Sequence, residues 1–226
     1  MAHSSRAIGQ IPRNNLVDCT NFVLFELGHP THVFDLGTLR GKAIEIRRAR
    51  KDERFLPIGE GAQELTLAGG ELVIADAERP VAIAGVKGGA ATADTAGTTD
   101  VLLEIAAFDP VAVRASSRGL RLASDSSYRF ERGVHPTELD AAADRLAALV
   151  LETAGGTLLD GAVEAGAPLP PARTVRVRPA RSTGEKPSVS RARTTSSTGI
   201  GVPRSDATRA GRTRTVRAGG RGAPAS

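Results

Sequence analysis

Between Ser182 and Ser226 the sequence contains no leucine and no aromatic residue, and its only Val or Ile residues are Val189, Ile200, Val202 and Val216. Such a stretch cannot bury enough apolar surface to offset its own chain entropy. Any core must therefore be built by the residues that precede it. The sequence predicts that 182–226 is a disordered, basic tail rich in Arg, Ser, Thr and Gly. Charge divides at nearly the same place. Residues 1–170 carry 17 Lys and Arg against 23 Asp and Glu, a net −6, whereas residues 171–226 carry 13 against 2, a net +11. The folded part is thus mildly acidic, which argues against a basic nucleic-acid groove spread across it. Arginines of the tail are scattered without aromatics on which bases could stack, so an irregular tail is preferred to an RNA-binding arm.

Only 3% of residues are aromatic, with six Phe, one Tyr and no Trp, so the core must be aliphatic. The single cysteine, Cys19, excludes an internal disulfide, and it lies in an apolar helix entry where an inert thiol is expected. His3, His29, His32 and His135 show no paired metal spacing with it. The chain has no phosphate-binding G-x-x-x-x-G-K-[ST] loop and no G-x-S-x-G nucleophile elbow. No apolar run reaches membrane-spanning length, and Met1–Arg6 has no secretory apolar region. These features lead to the expectation of a cytoplasmic protein without a membrane partner.

From Asn15 to about Val163 the pattern is that of one folded unit. Asp18 and Thr20 are candidate caps for a helix over Asn21–Leu27, stopped by Gly28. Ala43–Arg47 alternates as a half-buried strand. Leu65–Leu67 and Leu72–Ala75, separated by Ala68-Gly69-Gly70-Glu71, read as a hairpin. Val81–Val86 and Val101–Ala106 read as buried strands. Asp109-Pro110 opens a helix that runs to Gly119. His135-Pro136-Thr137-Glu138 opens the longest one, with Leu139, Ala142, Leu146, Leu149 and Val150 at helical spacing and Gly155-Gly156 as its stop. Thr157–Leu159 closes the unit. The fold class expected is α+β, a sheet-rich, β-sandwich-like mixed-sheet core with flanking helices. Residues 11–165 form the domain, 166–181 a linker and the start of a next module, and 182–226 the tail.

Three polar features stand out against this apolar pattern. Thr20-Asn21 is followed by His32 within Gly28-His29-Pro30-Thr31-His32-Val33-Phe34-Asp35; alone, these read as a cap and a hydrogen-bonded structural histidine. Glu104 interrupts the aliphatic strand, where a carboxylate either points outward or faces a pocket holding a donor. Ser124-Asp125-Ser126-Ser127-Tyr128-Arg129-Phe130-Glu131-Arg132-Gly133 is dense in hydroxyls and paired charges; alone, it is a salt-bridged turn before a helix.

Together with Val17–Gly28, Val73-Ile74-Ala75-Asp76, Ala84–Gly89 and Leu102-Leu103-Glu104, these segments closely resemble the beta subunit of bacterial phenylalanine–tRNA ligase over about Asn15–Gly156. The resemblance implies that the region is that family's editing module, which hydrolyses tyrosine wrongly attached to phenylalanine tRNA. A site that requires a hydroxyl can reject what a synthetic site admits. By that resemblance Glu104 accepts the tyrosine hydroxyl with help from the backbone at Gly88, and Ser124 and Ser126 line the amino-acid pocket. His32, Thr20 and Asn21 surround the terminal adenosine and the hydrolytic water. No protein nucleophile is implied, since a positioned water and a stabilised oxyanion suffice. The chain departs from the family at Ala90, usually Glu, at Tyr128, usually His, at His135, often Asp, and at Ser124 and Ser126, usually Thr and Ala. The parent enzyme attaches phenylalanine to its tRNA with ATP and magnesium bound elsewhere, so no cofactor is expected in this chain. Phenylalanine tRNA and the alpha subunit are the implied partners. Because the family's subunit is much longer, a gene fragment is expected, with a tail whose leucine-free composition is that of an out-of-frame reading. A non-catalytic tRNA-binding or structural remnant is the alternative.

Overall fold

A computed structural model describes residues 6–7, 9–166 and 208–217. The first helix, α1 (Asn15–Leu27), starts six residues before the expected Asn21 because Asn14 is its cap, its side chain accepting from Val17 N at 2.9 Å. Gly28 ends it at φ 71°, a left-handed turn that glycine makes without strain. Asp18 and Thr20 are not caps. The Asp18 carboxylate accepts from Arg13 N at 3.1 Å, and the Thr20 hydroxyl donates to Val17 O at 2.8 Å.

Strands β1 (Thr31–Asp35), β2 (Glu45–Arg48), β3 (Arg54–Phe55), β4 (Leu65–Thr66), β5 (Leu72–Ala75), β6 (Pro80–Ile83), β7 (Lys87–Gly88) and β8 (Asp100–Phe108) follow. Helices α2 (Pro110–Gly119), α3 (Asp125–Phe130) and α4 (Leu139–Ala154) precede β9 (Thr157–Ala165), and β10 (Thr208–Arg217) comes last. One sheet has the order β1-β8-β10-β9, a second β2-β5-β6-β7, and β3 pairs with β4. The expected α+β, sheet-rich architecture with flanking helices is what forms. Every strand pair described is antiparallel, so the sheets are not mixed.

The hairpin expected between 65–67 and 72–75 does not form. Both segments face the earlier arm instead: β4 pairs with β3, β5 pairs with β2, and Leu67 N donates to Glu53 O at 2.8 Å between them. Gly69 and Gly70, at φ 94° and 99°, let the chain corner and continue along the same partner. The Glu71 carboxylate holds the corner by accepting from the Ala68 and Gly69 amides. A bidentate Arg47–Glu53 pair at 2.6 and 2.9 Å ties the arm across the corner. That contact lowers the Glu53 pKa and raises that of Arg47.

Strand β10 corrects the expectation of disorder for 208–217; residues 182–207 and 218–226 lie outside the described residues. Thr208, Thr213, Thr215 and Val216 are β-branched and suit an extended backbone. Its main chain lies between β8 and β9 and pairs with both. Joining an existing sheet draws on backbone groups and needs no core of its own.

Strand β8 organises the interior, because its two faces enter different cores. Val101, Leu103 and Ile105 pack with Cys19 and Val23 of α1 and with Ala142, Leu146 and Val150 of α4. Leu102, Ala106 and Phe108 pack toward the second sheet with Leu72, Ile74, Val81 and Ile83, and with Val113 of α2 and Phe130 of α3. Glu104 follows the even positions, so its carboxylate falls between the two sheets.

Candidate active site

Glu104 is 6% exposed, and among the described residues its Oε1 has no hydrogen-bond partner. The ladder between β1 and β8 sets it directly opposite His32. Residues opposite each other in an antiparallel pair project to the same side, so the carboxyl and the imidazole share one space. That space is a cavity of about 60 Å³ lined by Ile74, Ala82, Ile83, Val86, Phe108 and Phe130, with Glu104, His32, Thr31, Ser126 and Lys87 as its side-chain polar groups. That volume holds more than one water, the scale of a small ligand group.

The His32 ring stands edge-on to Phe34, with centroids 4.5 Å apart and planes at 82°. Its other neighbour is Gly88, where an added Cβ would lie 2.6 Å from His32 Cε1. Glycine is therefore required at 88 by clearance and not by backbone conformation. The Gly88 carbonyl accepts from Ile58 N at 2.9 Å, and the absence of a side chain at this residue leaves room for the imidazole. Gly85 has the matching role below the cavity, where at φ 69° a Cβ would press on Phe108, Phe130 and Val113 at 3.0–3.1 Å.

Enclosure sets the protonation of both groups. Desolvation lowers the His32 pKa to about 4 and raises that of Glu104 to about 8. Near pH 7 the imidazole is therefore neutral, with one ring nitrogen a donor and the other an acceptor, and Glu104 is a carboxylic acid that can both donate and accept. A hydroxyl arriving at Glu104 meets either half of its hydrogen-bonding capacity.

The serine motif divides between cavity and scaffold. Ser126 lines the cavity. Ser124 does not: its hydroxyl donates to Val86 O at 2.7 Å and accepts from Ser127 N at 3.0 Å, closing a capping box that starts α3. Ser124 therefore shapes the pocket by fixing Val86. Thr20 and Asn21 lie on α1, half-buried, and neither lines the cavity.

Residues 1–155 match the family model described as the B3/4 domain. The chain belongs to the B3/4 family. Among its relatives, a phenylalanine–tRNA ligase beta subunit of Salinibacter ruber is 47% identical over 178 residues, covering 78% of this chain and 21% of the relative. The Moorella thermoacetica subunit is 46% identical over 176 residues, 78% of this chain and 22% of its own. That of Thermotoga maritima is 44% identical over 153 residues, 68% and 19%. The chain thus spans about a fifth of the length of these relatives.

Within this B3/4 domain the structure brings together His32, Glu104, Gly88 and Ser126, and leaves Ser124, Thr20 and Asn21 outside the cavity wall. It adds Thr31, whose Oγ1 is buried without a partner among the described residues, and Lys87 and Phe130. Lys87 and Phe130 lie inside motifs visible in the sequence, but nothing in those motifs marks them as facing a cavity. Thr31 carries no signal beyond its place beside His32.

Proposed function

We propose that this B3/4 domain hydrolyses the ester of tyrosine wrongly attached to phenylalanine tRNA. The observation that carries the reading is Glu104: a neutral carboxylic acid, its Oε1 without a partner among the described residues, in a small cavity walled mostly by apolar side chains. A tyrosine ring there would give its hydroxyl to Glu104. A phenylalanine ring would leave that carboxyl buried and unpaired, at a cost of about 1–3 kcal/mol. His32, neutral and held by Gly88 and Phe34, is the group that orients a water toward the ester carbonyl. Ser126 adds a hydroxyl to the pocket wall. Thr20 and Asn21, on the adjoining helix, would act on the nucleotide outside the cavity.

Parentage in the phenylalanine–tRNA ligase beta subunit supports a place in translation. On this reading the partners are phenylalanine tRNA and the ligase's alpha subunit, and the compartment is the cytoplasm. Among the described residues no helix is long and apolar enough to cross a membrane. The reading assigns no cofactor to this chain; ATP and magnesium belong to the aminoacylation step of the parent enzyme, at a site elsewhere. The direct test is deacylation of tyrosyl-tRNA(Phe) by the full chain. Release of tyrosine at a rate well above spontaneous hydrolysis supports the proposal. Binding of the tRNA without hydrolysis would make the chain a non-catalytic remnant.

A further inference from the structure

An aminoacyl ester on an RNA 3′ end carries a phosphodiester within one nucleotide of the reacting bond. With the amino acid in the cavity, that anion must lie at its rim. Helix α3 supplies one wall through Ser126 and Phe130. Arg129 is three residues from Ser126, so the two side chains are neighbours on the helix surface. The Arg129 guanidinium reaches across to α1, where it lies 5.0 Å from the centroid of Phe25. Phe25 is four residues from Asn21 and shares its helix face. A few residues beyond α1 the chain enters the cavity wall at Pro30, Thr31 and His32.

The hydrogen bonding of Arg129 differs from that of arginines fully engaged by a carboxylate. Arg145 is bidentate to Glu26 at 2.7 and 2.9 Å, and Arg47 is bidentate to Glu53. Among the described residues Arg129 donates only from Nη1 to Asp125 O at 2.9 Å, and the Asp125 carboxylate is 3.7 Å away, too long for a hydrogen bond. A guanidinium has five N–H donors in a planar fork suited to two phosphate oxygens. The side chain is 23% exposed, partly desolvated yet open to a ligand. Beside it Tyr128 is 58% exposed with the Arg132 guanidinium 3.6 Å from its ring centroid, a surface on which a base can stack.

We propose that Arg129 is a positioning residue that grips the phosphodiester next to the ester and so holds the terminal nucleotide of an RNA strand over the cavity. The inference rests on the hydrolytic reading above for its substrate, and on the geometry of α1 and α3 for its site. Lys87, on the β7 wall, is the competing cation.

The experiment measures binding of a short 5′-labelled single-stranded RNA ending in adenosine by fluorescence anisotropy across a salt series. The full chain, Arg129→Gln, Arg129→Lys, Lys87→Gln and Phe25→Leu are compared. Arg129→Gln should weaken binding about 10-fold or more and flatten the log–log salt slope by about 0.7. Arg129→Lys should restore the slope with only part of the affinity, and Phe25→Leu should keep the slope. An unchanged slope in Arg129→Gln, its loss in Lys87→Gln instead, or no RNA binding by the parent chain would overturn the proposal. In parallel, the loss of hydrolysis in Arg129→Gln should be at least about tenfold greater on tyrosyl-RNA than on tyrosyl-adenosine, which has no phosphate. If the parent chain hydrolyses neither ester while Arg129→Gln still loses the slope, the hydrolytic reading fails and the phosphate assignment stands. If hydrolysis is intact but binding is insensitive to Arg129, only the assignment fails.

Discussion

Replacing Glu104 with glutamine should make the domain more stable, by an amount that depends on pH. Burial raises the pKa of Glu104 from its ordinary 4.5 to about 8. Between those values the folded chain holds a proton that the unfolded chain has released, so stability falls as pH rises. At about 1.36 kcal/mol for each tenfold, keeping this acid neutral costs the fold roughly 3 kcal/mol by pH 7 and roughly 4 by pH 8. Glutamine has nearly the shape of the neutral acid and does not titrate. His32 has the opposite dependence. Its pKa falls from 6.5 to about 4, so its contribution is complete above 6.5 and is lost as pH drops toward 4. Between pH 4.5 and 6.5 the two slopes oppose each other in the parent chain, and above 6.5 only the Glu104 penalty grows. Urea unfolding of both proteins at pH 4.5, 5.5, 6.5 and 7.5 isolates the effect, because every other titrating group cancels in the difference. The stability gap should widen by about 1.4 kcal/mol per pH unit. A gap that stays constant with pH would show that Glu104 is ionised in the fold and refute the reasoning.

His32→Ala should lower single-turnover hydrolysis of tyrosyl and phenylalanyl esters together, and a selective loss of one would move His32 from the ester to the side-chain pocket. Gly88→Ala should reproduce that defect, since its Cβ would lie 2.6 Å from His32 Cε1; wild-type rates in this variant would show that the imidazole position does not matter. Ser124→Ala should cost about 1 kcal/mol in urea unfolding, the usual value of an N-cap, and no change in midpoint would contradict the capping box. Arg47→Leu leaves Glu53 with the Arg50 amide as its remaining hydrogen-bond donor, and about 1.5–3 kcal/mol should be lost; a loss below about 1 kcal/mol would place the pair with ordinary surface ion pairs.

Much of the site was legible because a carboxylate inside Val101–Ala106 is costly unless it has a purpose. The period of two along a strand also carries the fact that Glu104 faces opposite to Leu103 and Ile105. What the pattern could not supply was the register that sets Glu104 against His32, since β1 and β8 are joined by a long excursion through the second sheet. Gly69-Gly70 read as a reversal because two adjacent glycines permit one; only the partner strand shows that the chain corners and continues. The resemblance places Ser124 in the pocket lining, whereas a serine three residues before another serine can close a cap. The signal is weak, because a capping box more often has Glu or Gln at its third position. Strand β10 is not legible in composition, because residues 208–217 build no core of their own and are held by the strands they join.

The claim that Glu104 reads the substrate hydroxyl is tested most directly by single-turnover deacylation of tyrosyl-tRNA(Phe) and phenylalanyl-tRNA(Phe) with the parent chain and Glu104→Ala. Leaving this buried acid without its hydrogen bond costs about 1–3 kcal/mol, or on the order of 5–150-fold in preference for tyrosine. The ratio of the two rates should collapse by that factor in Glu104→Ala while some ester hydrolysis persists. An unchanged tyrosine preference in that variant would make Glu104 a structural residue and contradict the assignment of the cavity.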